Sequence, residues 1–490
     1  MNLTEITLPY QKRRINLLTI FLGLSFFGLI FYFRTALGDL STPFTFTFLG
    51  IIALSVIFGK LETFILLLLI LTATVFELPE FPTVPIQIGD LYFSDLLIII
   101  LLLGRLLKRV TVDVTIIPKP MGYPVLAILL VGIFSFVYAV VGFHVSTASA
   151  GIELRAIIYF SLFFLVCYYI RNQRQLRSLL LGIALLACIV TVLQLIQWII
   201  GPETNFLQCR LETLATARIK FAGVARVILP GKSIVLFTLN TLIAIYILKA
   251  LKRPGRSLLI PAIALLTLGL IMTFGRIHWI MVMAGTLLLL ILARRRLIIY
   301  PRITFLIVGA SLVLTLILQL NVLNPAAIRD AIFKRTVSIV RAPSNFKEDT
   351  LYMRYLESRF AWQRIIEHPL LGIGLGNTYR PLVFGNVDYE RFIRGTNVHN
   401  GYLATQLKMG ILGTLAYSWL VLAFFYRFLH KWKRIEDPLY QTVALGVAMS
   451  VGGMLIANLT ASPFLTVFWV SVTAVGMGVV EKIYQFEGIT

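Results

Sequence analysis

Apolar runs of about 17 or more residues recur along this 490-residue chain, from Ile15–Phe33 near one end to the segment after Pro463 near the other. Each is long enough to cross a hydrocarbon core of about 30 Å as a helix. Lipid offers no partner to a backbone N–H or C=O, so a spanning segment must satisfy its polar groups internally. The composition agrees, with 58% hydrophobic and only 13% charged residues and a mean hydropathy of +0.89. The sequence therefore reads as all-α, a polytopic integral membrane protein of about 12 to 14 transmembrane helices.

The apolar runs begin near Ile15, Pro43, Leu61, Leu91, Tyr123, Arg155, Ser178, Ser233, Ser257, Ile277, Ile303, Tyr402, Leu439 and Pro463. The first is longer than the apolar region of a cleavable signal and follows Lys12-Arg13-Arg14, so it is expected to be retained as a span. If the spans alternate, six basic clusters fall on one side: Lys12/Arg13/Arg14, Arg105/Lys108/Arg109, Arg171/Arg174/Arg177, Lys249/Lys252/Arg253/Arg256, Arg294/Arg295/Arg296 and Arg427/Lys431/Lys433/Arg434. The positive-inside rule makes that side the cytoplasm and puts both termini there. It also accounts for much of the net charge of +22 without a nucleic acid partner. Cys167 and Cys188 lie in apolar runs and only Cys209 lies in a loop, so no disulfide framework is implied.

Three regions follow: a helix bundle over 1–320, a long exocytoplasmic loop over 321–398 and C-terminal spans over 399–490. The loop precedes the twelfth apolar span, and a helical stretch is expected in it near Tyr352–His368. Both it and the shorter segment Gly201–Lys232 are rich in Arg and Lys where topology does not demand them. A long loop can escape the charge rule; the same pattern also suits an anionic, phosphate-bearing substrate.

The stretch "NVHNGYLATQLKMGILGT", Asn397 to Thr414, carries the most chemistry. In a helix starting near His399, that residue would share one stripe with Leu403, Gln406, Gly410 and Gly413, at about 100° per residue. Gly410 and Gly413 would then admit a neighbouring helix. At the N-terminal end of a span the helix dipole disfavours imidazolium. A neutral imidazole at the water boundary is what a general base needs, although a histidine there can equally cap or anchor the span.

His399-Asn400, nine residues, Gly410, two residues and Gly413-Thr414 resemble the signature of the O-antigen ligase and Wzy-type polymerase superfamily of bacterial envelope glycosyltransferases. Upstream, "SRFAWQRIIEHPLLGIGLGN" (Ser358 to Asn377) is similar to that family's loop, with its "PLLGxGxGN" run. On its own Gly372-Ile373-Gly374-Leu375-Gly376 is a poor nucleotide motif, because it follows no strand; it reads as a turn returning the chain to the membrane.

The resemblance implies transfer of a glycan from undecaprenyl-pyrophosphate to an acceptor hydroxyl, on the outer side of the bacterial inner membrane. It implies no nucleotide sugar, no metal and no cofactor. His399 would be the catalytic base, inverting the anomeric carbon. Arg276, in "TFGRIHWI", resembles the arginine of the family's Ser-Arg pair, with Gly275 in the serine's place. Arg226, in "FAGVARVILPGKS", resembles its other arginine, and Arg359 and Asn400 complete the substrate-binding candidates. The acceptor is lipid A-core in a ligase and a growing polysaccharide in a polymerase; the motif does not separate the two. No clustered His/Asp/Glu spacing suggests a metal site. A transporter of an anion or lipid-linked sugar is the competing class, but it should carry acids near span centres. Here Glu62, Glu77, Asp95 and Glu153 sit near span ends.

Overall fold

The computed structural model describes residues 62–75, 83–86, 89–111, 118, 120–201, 207, 210–213, 225–251, 255–293, 350–380 and 395–489. The runs expected to begin near Ile15, Pro43 and Ile303 lie outside the described residues, as does Cys209.

The helices are α1 (Glu62–Ala73), α2 (Phe93–Thr111), α3 (Gly122–Gly142), α4 (Thr147–Ile158), α5 (Leu162–Tyr169), α6 (Gln173–Ile200), α7 (Lys232–Leu248), α8 (Leu259–Met272), α9 (Arg276–Ala293), α10 (Thr350–Glu367), α11 (Gly401–Lys431), α12 (Pro438–Ala457) and α13 (Val467–Phe486). Two antiparallel hairpins accompany them. β1 (Thr83–Ile86) pairs with β2 (Gly89–Tyr92), and β3 (Arg210–Thr213) pairs with β4 (Ala225–Ile228). Among the described residues six helical segments are long and apolar enough to cross a membrane: Gly122–Gly142, Thr147–Tyr169, Gln173–Ile200, Gly401–Arg434, Pro438–Ala457 and Val467–Phe486. The protein is an all-α, multi-pass membrane protein.

Some of the helices start at a polar residue that caps them. Asn172 accepts from Gln175 N, and Asp437 accepts from Leu439 N with Pro438 at the first helical position. The sixth run begins earlier than Arg155 because Ser146 caps α4 through Ser149 N. The less apolar stretch Thr147–Arg155 thus joins the span, which passes through one 3₁₀ turn at Tyr159–Ser161 into α5.

The core lies where α12 and α13 are enclosed by α5, α7 and α9. Small residues set that approach: a Cβ on Gly453 would stand 2.7 Å from Met281 O, and one on Gly285 3.0 Å from Met449 O. Asn240 Nδ2 donates to Ser450 Oγ between α7 and α12 at 3.0 Å.

The bundle has two unlike ends. At one, Arg177 pairs with Asp437 at 2.9 Å, and Arg427 reaches both oxygens of Glu481 at 3.0 and 3.1 Å. At the other stand the start of α11, the end of α12 and the starts of α4, α7, α9 and α13. They are linked by Gly401 N donating to Asn458 O, by Lys232 over Phe468 and by His278 stacked on Trp469. This second end carries His399 and is the histidine end of the bundle.

Candidate active site

α10 fills part of the long loop and presents Glu357, Ala361 and Ile365 inward, a stripe at i, i+4 and i+8. Ala361 and Ile365 join Ile373, Tyr379, Val398, Ala404 and Leu407 in a small apolar cluster separate from the main core. That cluster holds together α10, the glycine run, the chain before His399 and the first turns of α11.

Glu357 lies at the edge of this cluster, almost fully buried. Its Oε2 is 2.8 Å from His399 Nδ1 and accepts from His399 N at 3.4 Å. Its Oε1 accepts from Arg380 Nη1 at 3.3 Å, and the Arg380 side chain is only 8% exposed. An ionised carboxylate can only accept, so Nδ1 carries the proton and the Nε2 lone pair remains as the basic one. The His399 side chain keeps 24% of its surface exposed, so the dyad reaches solvent through the imidazole. Tyr379 Oη donates to Asn397 O at 3.0 Å, tying the arginine's neighbour to the strand of chain that delivers His399. Burial, and then the nearby Glu357 carboxylate, push the Tyr379 phenol well above its usual range, so it serves as a neutral donor.

The expected stripe below His399 is interrupted. α11 starts at Gly401, with Asn400 as N-cap: its Oδ1 accepts from Tyr402 N at 3.0 Å and Leu403 N at 3.2 Å. His399 precedes the cap, and the helix breaks at Gly410, which has φ 60° and ψ −160°. What enters beneath Gly410 is the glycine run rather than a second helix. Ile411 N, which an unbroken helix would give to Leu407 O, donates to Pro369 O and Leu370 O, both at 3.1 Å. Leu407 O and Lys408 O accept instead from Ile373 N at 2.8 Å and Gly374 N at 3.1 Å. The loop thus replaces the hydrogen bonds that the break removes. Any Cβ on Gly410 would collide with the Leu370 carbonyl, and its positive φ disfavours other residues. Gly413 lies past the break, where a Cβ would meet the Met409 side chain of its own helix.

The run itself is an ordered ladder rather than a loose turn. Gly372, Gly374 and Gly376 have φ of 71°, 82° and 72°. They pass against α11, Ala139 of α3 and Ala150 of α4 in turn. Buried Lys408 fastens the far end: its Nζ donates to Glu153 Oε1 at 3.0 Å and to Asn377 O at 2.8 Å, while Gly376 N donates to Glu153 Oε2 at 2.7 Å.

The other candidates are distributed around the histidine end. Arg276 opens α9 after the turn Thr273–Gly275. A Cβ at Gly275 would run into His278 Nδ1, so the departure from the family's serine goes with the histidine packed there. Arg226 lies on β4 with its backbone paired to Glu212, beside the end of α6. Arg359 is exposed; two residues from Glu357 on a helix, it points to nearly the opposite side, away from His399. Sequence reasoning named neither Glu357 nor Arg380 as site residues. Among the described residues no three His, Cys, Asp or Glu side chains are grouped to hold a metal.

At one end of this multi-pass membrane helix bundle a loop helix thus holds a histidine against a buried carboxylate. Residues 261–418 match the family model described as O-antigen ligase. That stretch of the chain, from α8 into α11, is thus similar to the O-antigen ligase family, and it contains Arg276, Glu357, Arg380, His399 and Gly410 but not Arg226. The family works on lipid-linked glycans in a membrane setting and has glycosyltransferase-type activity. No curated protein matches the chain.

Proposed function

We propose that this protein is an O-antigen ligase-like glycosyltransferase. It moves a glycan from undecaprenyl-pyrophosphate to the hydroxyl of an acceptor, lipid A-core or a growing polysaccharide, on the outer side of the bacterial inner membrane. The observation that carries this reading is the 2.8 Å approach of His399 Nδ1 to Glu357 Oε2 inside the segment matched to that family.

The acceptor hydroxyl gives its proton to His399 Nε2 as its oxygen attacks the anomeric carbon. The bond from that carbon to the pyrophosphate oxygen breaks, and the electron pair leaves with undecaprenyl pyrophosphate. Attack from the face opposite the leaving group inverts the anomeric configuration. Glu357 holds the imidazole in the useful tautomer and stabilises the imidazolium that forms, while Arg380 holds the carboxylate. Arg276 and Arg226 bind the pyrophosphate and offset the charge that grows on it. Arg359, on the outward face of α10, meets only a substrate portion lying outside that face. Asn400 spends its side-chain oxygen on the helix cap and retains its amide for a sugar hydroxyl. The reaction needs no metal in this scheme.

The test is to express wild type and His399→Ala at matched membrane levels in a host lacking its own ligase and polymerase, and to follow lipid-linked glycan by gel and mass spectrometry. Wild type should modify the acceptor, and the variant should leave the pyrophosphate-linked donor unspent. Transfer by the alanine variant at the wild-type rate would refute the assignment. Modified lipid A-core in the product marks a ligase, and lengthening chains mark a polymerase.

A further inference from the structure

The exposed side of α10 carries an apolar stripe beside its polar residues Gln363, Arg364 and Glu367, and the stripe continues into the turn after the helix. Trp362, Ile366 and Leu370 are 56%, 65% and 67% exposed, one helical turn apart in sequence. Their position relative to the bilayer can be read from α11. That helix is about 46 Å long at ~1.5 Å per residue, well beyond a hydrocarbon core of about 30 Å. Its large exposed apolar residues are Tyr402 and then Ile411, Leu412, Leu415, Trp419, Leu422, Tyr426 and Leu429. The run from Ile411 to Leu429 covers about 28 Å, which fits the hydrocarbon core and sets its upper edge at the Gly410 break. The turns from Gly401 to Met409 then stand above it.

Leu370 is joined to that edge by backbone. Its carbonyl, with that of Pro369, accepts from Ile411 N, and Gln406 Nε2 donates to Pro369 O at 2.8 Å. α3 marks the same level independently. Its exposed apolar run Leu130, Ile133, Phe134, Val137 and Val141 ends two residues before Phe143, whose ring meets His368 edge-on at 5.4 Å. From Leu370 backward, the stripe runs through Ile366, Trp362 and exposed Arg359, with Gln363 and the Arg364–Glu367 pair flanking it. Aliphatic, aliphatic, indole and guanidinium is the order in which side chains settle from hydrocarbon through the interface to the phosphates.

We propose that the stripe from Leu370, in the turn after α10, along α10 up to Arg359 is a bilayer-contacting surface whose partner is the phospholipid of the leaflet at the histidine end. It continues the lipid-facing surface of α3 and α11 into the headgroup zone. Arg359 is then a phosphate-zone anchor, and the proposal holds whatever reaction His399 performs.

The experiment uses the full-length chain with Cys167, Cys188 and Cys209 replaced by Ala, reconstituted in phosphatidylethanolamine and phosphatidylglycerol vesicles. Single nitroxide labels are placed through Arg359→Cys, Trp362→Cys, Ile366→Cys, Leu370→Cys and, as a lipid-facing reference, Leu415→Cys. Collision with oxygen, which concentrates in the bilayer, is compared with collision with a water-soluble nickel chelate. The oxygen-to-nickel ratio should rise steadily from position 359 to position 370, at least threefold in all, and approach the reference. A flat ratio, with 366 and 370 as open to nickel as 359, would overturn the proposal in favour of water. Exclusion of both reagents would overturn it in favour of cover by protein. If the labelled variants do not fold, the difference in fluorescence quenching by brominated phospholipid between wild type and Trp362→Phe reads the same surface, and equal quenching overturns the proposal.

Discussion

Glu357→Gln keeps the shape of the residue behind His399 and removes its charge. An amide can satisfy Arg380 with its oxygen only by turning its NH₂ toward His399. Nδ1 must then accept, and the imidazole proton moves to Nε2, the atom that should take the acceptor's proton. The substitution abolishes a charge-assisted hydrogen bond of 2.8 Å, worth about 1.5–3 kcal/mol. The carboxylate–imidazolium attraction at ~4 Å is about 4 kcal/mol at an effective dielectric of ~20. The two overlap, so transition-state stabilisation should fall by about 2–4 kcal/mol, or roughly 30- to 1,000-fold in kcat. The assay is turnover of lipid-linked donor in proteoliposomes, with thermal unfolding measured alongside. Stability matters because removing one partner of a buried ion pair can cost about 3–5 kcal/mol, and Arg380 is nearly as buried as Glu357. Glu357→Gln combined with Arg380→Gln separates the causes. If the dyad acts on the chemistry, the double variant regains stability and stays slow. Turnover by Glu357→Gln within threefold of wild type, or full recovery in the double variant, would refute the reasoning.

Gly410→Ala should lower the unfolding temperature, since the residue needs a positive φ costing about 1–3 kcal/mol elsewhere and has no room beside the Leu370 carbonyl; circular dichroism and turnover together read this. Lys408→Met should destabilise by about 1–3 kcal/mol, because Glu153 and Asn377 O lose their charged donor while Gly376 N still serves Glu153, measured as detergent-solubilised melting temperature. EDTA should leave the transfer rate unchanged, and strong inhibition reversed by a divalent ion would refute metal independence.

The bundle was largely legible in the sequence because spanning helices announce themselves by length and hydropathy. The described helices α1 to α3, α6 to α9 and α11 to α13 begin within a few residues of the expected starts; the run expected near Arg155 is instead α4 and α5, beginning at Thr147, where a polar first turn hid the true beginning. The histidine was legible as a residue type at a span boundary. Its partner was not: Glu357 is 42 residues away and reaches it only because an apolar cluster folds α10 against α11. Loop acids obey no spacing rule, so Arg359, two positions on, drew attention while facing the other way. The break at Gly410 was hidden for a related reason. Good helix formers flank it, and only the arrival of Pro369–Gly374 supplies the donors and acceptors that make an interruption tolerable.

That break also determines what the chain that follows His399 packs against. One unbroken apolar stretch of sequence is shared between two packing units. The turns from Gly401 to Met409 pack with α10 and the glycine run while staying bonded to the end of α12 through Gly401 N and Tyr402 Oη, and the turns after Gly410 pack with the bundle. His399 is therefore held from two sides, by the loop and by the membrane domain. Substitutions in the loop can then reshape the surroundings of His399 while the spans below Gly410 keep their packing.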